Sequence, residues 1–464
     1  MRQTSLFNGL DHILREVNNL NPNGSLKIND SVVSKIYHRA EEITQRVVTQ
    51  EKKPRVDWDK KLDDILTSRV WGFPSMLLLL GVVFWLTVAG ANYPSQVIAS
   101  VLFWGQERLT DLFHWLQAPS WVNGFFVEGM YRCLAWVVSV MLPPMAIFFP
   151  CFTLLEDLGY LPRIAFNLDR FFKCAGAHGK QALTMSMGFG CNAAGIVACR
   201  IIESPRERLI AMLTNNFVPC NGRFPTLIAL AGLLVFGLGN TLGATAVIVG
   251  IVLLGIAATL AVSWILSKTL LKGVPSSFTL ELPPYRKPQV GKIIVRSIFD
   301  RTLFVLGRAV CVAVPAGAVI WLLANIHVGD LSIFAHCANW LNPFAQLIGL
   351  DGFILMAFIL GLPANEIVLP ILIMGYLATG NMTELESLQD LYHLFVVQHS
   401  WTWLTAVCMM LFSLLHYPCG TTLWTIWRES GSVKWTSLAA LIPLGIACMV
   451  CFMVAQTARL LGWV

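Results

Sequence analysis

The chain has 464 residues, of which 56% are hydrophobic and only 13% charged, with a mean hydropathy of +0.64. This composition excludes a soluble globular domain, and apolar runs near the ~20 residues a helix needs to cross a bilayer exclude an outer-membrane barrel. The net charge of +6 lies mostly between those runs, so it reports topology and is not a nucleic-acid footprint.

Residues 1–70 are polar and carry no signal peptide, so the N-terminus is expected in the cytoplasm. Within them Asn-Pro-Asn-Gly at 21–24 marks a turn, and Ser34 to Val48 has helical spacing. The basic stretch Lys52, Lys53, Arg55, Lys60, Lys61 and Arg69 then precedes the first apolar run, as the positive-inside rule expects on the cytoplasmic side. Residues 71–124 read as a first span, Trp71 to Gly90, followed by an interfacial amphipathic helix, Asn92 to Gln117, carrying Glu107, Arg108 and Asp111. A second span, Phe125 to Phe152, passes Pro143-Pro144.

Ala182 to Ile202 is apolar but broken at GFGCN and flanked by basic residues on both sides, which a re-entrant hairpin satisfies. Leu209 to Gly237 crosses with an interruption at PCNGRFP, and Leu242 to Leu266 returns to a basic cytoplasmic loop at 269–301. The pattern then recurs. Leu303 to Ala324 spans past Pro315, Phe353 to Leu377 is broken at GLPANE, Trp401 to Trp427 is broken at HYPCG, and Trp435 to Met453 closes the chain.

Pro143 to Gly188 is 45 residues and Pro315 to Gly361 is 46, which points to a duplication with repeats at 125–268 and 302–464. The first copy starts outside and the second inside. The expected fold is therefore an all-α integral membrane protein of two inverted-topology repeats with broken and re-entrant helices, the design that places substrate at the repeat interface.

Backbone freed at membrane depth persists only where it is buried or lines a polar cavity, so the breaks nominate the site. They carry Cys191 with Asn192, Cys220 with Asn221, Asn365 with Glu366, and His416 with Cys419. A carboxylate at mid-membrane costs ~2.5–3.5 kcal/mol on insertion scales, so Glu366 needs a purpose or a partner; capping a half-helix is its alternative role. The thiols could equally pack as small residues, the amides could serve the freed backbone, and His416 could be a hydrogen-bonded core histidine. Arg223, beside a break, reads as a snorkelling or gate-closing residue. Thiol, imidazole, amide and carboxylate together suit a borderline or soft divalent ion better than Mg2+ or Ca2+. The remaining cysteines, including the Cys448–Cys451 pair, read as reduced packing residues.

The segments GFGCNAAGIVACRIIESPRERLIAMLTNNFVPCNGR, LEDLGYLPRIAFNLDR, GLPANEIVLP and LLHYPCGTTLWTI resemble the membrane region of the FeoB family of bacterial ferrous-iron transporters. The resemblance runs from about Ile36 to the end and implies two Gate-type repeats in the bacterial inner membrane. It implies Fe2+ as transported substrate, no permanently bound cofactor, and Cys191, Cys220 and Cys419 on the iron path. It also implies a G-protein domain and a small FeoA-like SH3 partner. No GxxxxGK[ST] occurs; Gly190 to Gly195 has the glycine spacing but continues Ile-Val, so GTP hydrolysis by this chain itself is not expected, and the implied G domain could be a separate polypeptide, could have been removed, or could be absent by divergence. Membrane lipid and a homo-oligomer complete the expected partners. A Gate-fold carrier of another divalent metal or a nucleoside, or a non-transporting scaffold or sensor, stands as the alternative. An enzyme is disfavoured, since neither HExxH nor a nucleophile with an evident base is present.

Overall fold

Apolar segments with no water to satisfy the backbone fold as helices, because each N–H and C=O then finds its partner within the segment. The computed structural model describes residues 25–47, 58–68, 71–177, 179–235, 241–273, 289–383, 385 and 387–462. Among them seven helical segments are long and apolar enough to cross a membrane, or eight when one bent pair is taken as a span. The chain is a multi-pass membrane protein. The turn expected at 21–24 and the basic residues Lys52, Lys53, Arg55 and Arg69 lie outside the described residues.

Two helices, α1 (Ser25–Val47) and the short α2 (Trp58–Leu66), precede the membrane helices. The first span and the expected interfacial helix form one element, α3 (Gly72–Trp115), which continues through Pro94. At 1.5 Å per residue it is roughly 66 Å long, about twice a bilayer core of ~30 Å. Packing along the next long helix carries it past the proline, and Tyr131 Oη donates to the Leu102 carbonyl at 3.0 Å. A π-helical turn, Gly124–Tyr131, leads into α4 (Arg132–Asp157), where Pro143, Pro144 and Pro150 sit inside the helix.

The first repeat continues with α5 (Tyr160–Cys174), α6 (Gln181–Gly190), α7 (Asn192–Ala198), α8 (Pro205–Thr214), α9 (Phe224–Val235) and α10 (Thr241–Lys268). Ser204 starts α8 by accepting from Glu207 N, with Pro205 in the first turn, where a missing N–H costs nothing. The expected loop at 269–301 is partly helical: α11 (Val290–Arg296) and a π-helical turn, Ser297–Thr302, run directly into α12 (Leu303–Asn325).

The second repeat repeats the order of the first. After α12 come α13 (Ile333–Leu347), α14 (Gly352–Leu360), α15 (Val368–Leu377), the short inserted α16 (Leu388–Tyr392), then α17 (Trp403–Leu415), α18 (Gly420–Ser430) and α19 (Val433–Leu460). Three spans separate the start of α4 from the start of α12, so α12 crosses in the opposite direction. Between α13 and α14 the chain bends by 111°, just before the expected re-entrant segment. One departure from an all-helical fold is a two-residue hairpin, His327–Val328 with Leu331–Ser332, turning at Gly329 (φ +69°).

The repeats meet where α12 crosses the π turn and α4. Cys133 Sγ donates to the Ala313 carbonyl at 3.3 Å, and a Cβ on Gly317 would meet the Gly129 carbonyl, so only small residues permit this approach. At the N-terminal side, the buried Arg163 of α5 grips Asp63 of α2 through Nε at 3.0 Å and Nη2 at 3.2 Å, and Asn167 donates to the Leu66 carbonyl. All twelve cysteines are free. The Cys448–Cys451 pair lies on α19, where Cys451 donates to the Cys408 carbonyl at 3.4 Å, a packing contact.

Candidate functional site

Each repeat contains a short half-helix that starts from one extended residue. In the first, α6 stops at Gly190 and α7 begins after Cys191, whose backbone is at φ −152°, ψ 125°. In the second, a 3-10 turn at Asn365–Ile367 begins after Ala364, at φ −152°, ψ 124°. Segments GFGCNA and GLPANE are thus structurally equivalent, with Cys191 matching Ala364, Asn192 matching Asn365 and Ala193 matching Glu366. The later breaks match as well: Cys220 (φ −81°, ψ 167°) and Cys419 (φ −61°, ψ 158°) each follow a proline and start a new helical segment.

The four breaks converge on one small cavity of about 20 Å³, room for one or two water-sized spheres. Its wall includes Cys191, Asn192, Cys220, Asn365, Glu366 and Cys419, six of the eight residues nominated from sequence. Asn365 Nδ2 lies 3.9 Å from Cys220 Sγ, and Cys419 Sγ lies 3.2 Å from Thr422 Oγ1. The lining also includes residues that sequence reasoning did not single out, among them Met141 and Met145 of α4, Val305 and Ala309 of α12, Ala364, and Thr421 of α18.

Three features make the cavity attractive to a cation. Glu366 is 7% exposed, and among the described residues no basic side chain forms an ion pair with it. Its carboxylate lies against Gly222 so closely that a Cβ there would collide with Oε1. Asn192 Oδ1 and Thr421 Oγ1 are buried oxygens without a hydrogen-bond partner, an arrangement that costs about 1–3 kcal/mol each unless something occupies the cavity. Among the described residues, no three His, Cys, Asp or Glu side chains are gathered tightly enough to enclose a metal. The thiols line the cavity and do not form a closed cage.

Asn221 and His416 do not line this cavity. The His416 ring packs among Phe358, Phe412 and Tyr417, and its Nδ1 sits 3.0 Å from the Phe412 and Ser413 carbonyls. The main chain of His416 matters more. Its carbonyl accepts from Asn216 Nδ2 at 2.5 Å and from Arg223 Nη2 at 3.3 Å. Arg223, 1% exposed, also donates to the Asn216 carbonyl (2.9 Å), Asn216 Oδ1 (3.0 Å), the Leu414 carbonyl (2.7 Å) and the Tyr417 carbonyl (3.2 Å). It therefore neither snorkels nor faces solvent. It ties the break of one repeat to the break of the other, its charge meeting the carbonyl-rich C-terminus of α17. The pair Asn215-Asn216 inside an apolar run was the available sequence signal for this network.

The Gate family model, described as nucleoside recognition, matches residues 138–234 and 306–433, and a model described as the ferrous iron transport protein B C terminus matches 248–300. The Fe(2+) transporter FeoB of Staphylococcus aureus is 29% identical over 427 residues, 91% of this chain and 62% of that protein. The protein of the same name from Synechocystis is 29% identical over 87% of this chain and 63% of its own length. A Porphyromonas gingivalis Fe(2+) transport protein A/Fe(2+) transporter FeoB fusion protein is 27% identical over 85% of this chain and 51% of its own length. No solved structure matches the chain significantly. The chain thus spans about 62% of the length of the Staphylococcus relative. The Gate model falls within the two repeats and the C-terminal model covers the end of the first repeat and the segment after it, so the chain is similar to the Gate and C-terminal membrane regions of Fe(2+) transporter FeoB proteins.

Proposed function

We propose that the chain is the permease part of a bacterial ferrous-iron uptake system, passing Fe2+ through the cavity where the four helix breaks meet. The observation that carries this reading is the Glu366 carboxylate without a counter-ion, sharing one ~20 Å³ space with Cys191, Cys220 and Cys419. Thiols beside a carboxylate and amide oxygens favour a borderline divalent ion over Mg2+ or Ca2+. An open set of donors suits an ion that must also leave. The cavity is far below the ~300 Å³ and upward typical of small-molecule sites, which speaks against a nucleoside despite the family model's description. Cys191, Cys220, Cys419, Glu366, Asn192 and Asn365 are proposed to line the path, with Asn221 and His416 supporting it from behind.

In this reading the N-terminus is cytoplasmic and the membrane is the bacterial inner membrane, consistent with the basic residues beside the first span. The Arg163–Asp63 grip would then connect a cytoplasmic segment to the repeat that carries Cys191. A FeoA-type partner is supported by the fused Porphyromonas relative, and a G-protein partner by the family. The test is uptake into anaerobic proteoliposomes holding this chain, with Fe2+, Mn2+, Zn2+ and uridine compared, alone and with a G domain added. Saturable Fe2+ uptake that Glu366→Gln abolishes is the expected result; uridine uptake, or no cation uptake under either condition, would overturn the reading.

A further inference from the structure

Cys191 and Cys419 each stand at the start of a half-helix, and those two half-helices run side by side. Helix α7, with its 3-10 extension Cys199–Ile201, belongs to the first repeat; α18 belongs to the second, and the two pack together. At their far ends Arg200 and Glu429 form a bidentate ion pair, Nε to Oε2 at 2.8 Å and Nη2 to Oε1 at 2.6 Å. Glu429 is 12% exposed on its side chain, whereas Arg200 is 66% exposed and in reach of solvent. Nearby, Arg308 of α12 donates to Thr425 Oγ1 of α18 at 2.9 Å.

Inverted repeats give this pair of half-helices a counterpart on the other face, namely α9 after Cys220 and α15 after Ala364. Helix α9 packs instead on α10, α16 and α17. Among the described residues no inter-repeat ion pair links α9 to α15. The half of the interface leading from the thiols toward Arg200 is closed by an ion pair, whereas the opposite half, where α9 and α15 carry no charged side chain, is held by apolar packing of α9 on α16 and α17. Arg223, buried between the breaks and bonded to both repeats, stays fixed at the crossing point.

We propose that the Arg200–Glu429 pair is the cytoplasmic gate of the path: it holds α7 against α18 and thereby closes the way from Cys191 and Cys419 to the cytoplasm. The inference rests on the reading of the cavity as a cation path, but its test needs no iron. With the Arg200 end open to solvent, the pair can exchange its partner for water and re-form thermally, which suits a gate and not a structural clamp. Hydrogen bonding to Glu429 holds the Arg200 guanidinium still further into its charged form.

The test is labelling by a membrane-impermeant maleimide in inside-out membrane vesicles, followed site by site by peptide mass. The full chain supplies its own references: Cys174 is exposed, and Cys408 and Cys451 are buried away from the path. Glu429→Gln and Arg200→Gln should each speed labelling of Cys191 and Cys419 about two- to five-fold. The double variant should do no more than either single one, because both break the same link. Unchanged rates, effects that multiply in the double variant, or an equal rise at Cys408 and Cys451 would overturn the gate. Failure of Fe2+ uptake with the labelling pattern intact would instead count against the iron reading alone.

Discussion

The two repeats share a backbone and differ in what they hang on it. Cys191 and Ala364 have the same extended conformation, yet one repeat offers a thiol there and the other a methyl; one position later but one, Ala193 faces the role that Glu366 fills. Cys220 and Cys419 keep the thiol in both copies, but Arg223 follows in the first repeat where Thr422 follows in the second. The breaks are thus a shared device for opening space at membrane depth, and chemistry enters through a few unequal side chains. Charge is divided as well: the first repeat supplies the fixed cation that binds backbone, the second the carboxylate that faces the cavity.

That asymmetry can be broken most forcefully at Glu366. At an effective dielectric near 20, two unit charges ~4 Å apart interact by about 4 kcal/mol, so Glu366→Gln is expected to reduce Fe2+ uptake by at least about 100-fold. Its thermal melt should stay near wild type or rise, since a neutral amide is cheaper to bury. Unaltered uptake would remove the carboxylate from the path. Next in size, Arg223→Ala leaves acceptors from both repeats without a donor and should destabilise the protein by about 2–3 kcal/mol, read as a lower melting temperature in detergent. Arg223→Lys should recover only part of this, because an ammonium cannot span the same fork of acceptors.

The comparison is sharpened by making the repeats alike. Ala364→Cys supplies the missing thiol to a residue that lines the cavity. It should tighten inhibition by the thiophilic Cd2+ about tenfold and slow Fe2+ turnover, since an added soft ligand holds the ion longer. Equal Cd2+ sensitivity in the variant and wild type would mean that position 364 does not meet the ion. The smallest effect is expected at His416, whose ring packs among aromatics behind the cavity. His416→Phe should cost about 1 kcal/mol of stability through the lost Nδ1 contacts and leave uptake within about twofold.

Sequence and structure agree where local chemistry decides the matter. Gly188, Gly190, Pro219 and Pro418 inside apolar runs identify the breaks because a membrane offers no water to repair them. The match of Pro143–Gly188 with Pro315–Gly361 likewise shows the duplication. What the residue pattern could not show depends on partners distant in the chain. Arg223 looks like a boundary charge until the carbonyls of Leu414, His416 and Tyr417, some 190 residues later, are seen around it. His416 resembles a ligand until its ring is found packed on Phe358 and Phe412. In α3 the charges Glu107, Arg108 and Asp111 suggested a separate interfacial helix, whereas packing against α4 carries one helix through Pro94. Gly222 lies inside the PCNGRFP break, but nothing in the sequence shows that its value is the side chain it lacks beside Glu366.

The most direct measurement is an anaerobic titration of the purified chain with Co2+, a spectroscopic stand-in for Fe2+, following the thiolate-to-cobalt absorption band. An ion held where the four breaks meet predicts a band that saturates near one equivalent, weakens in Cys191→Ser, Cys220→Ser, Cys419→Ser and Glu366→Gln, and persists in His416→Phe. A band that survives loss of all three cysteines, or one that vanishes with His416 alone, would contradict it.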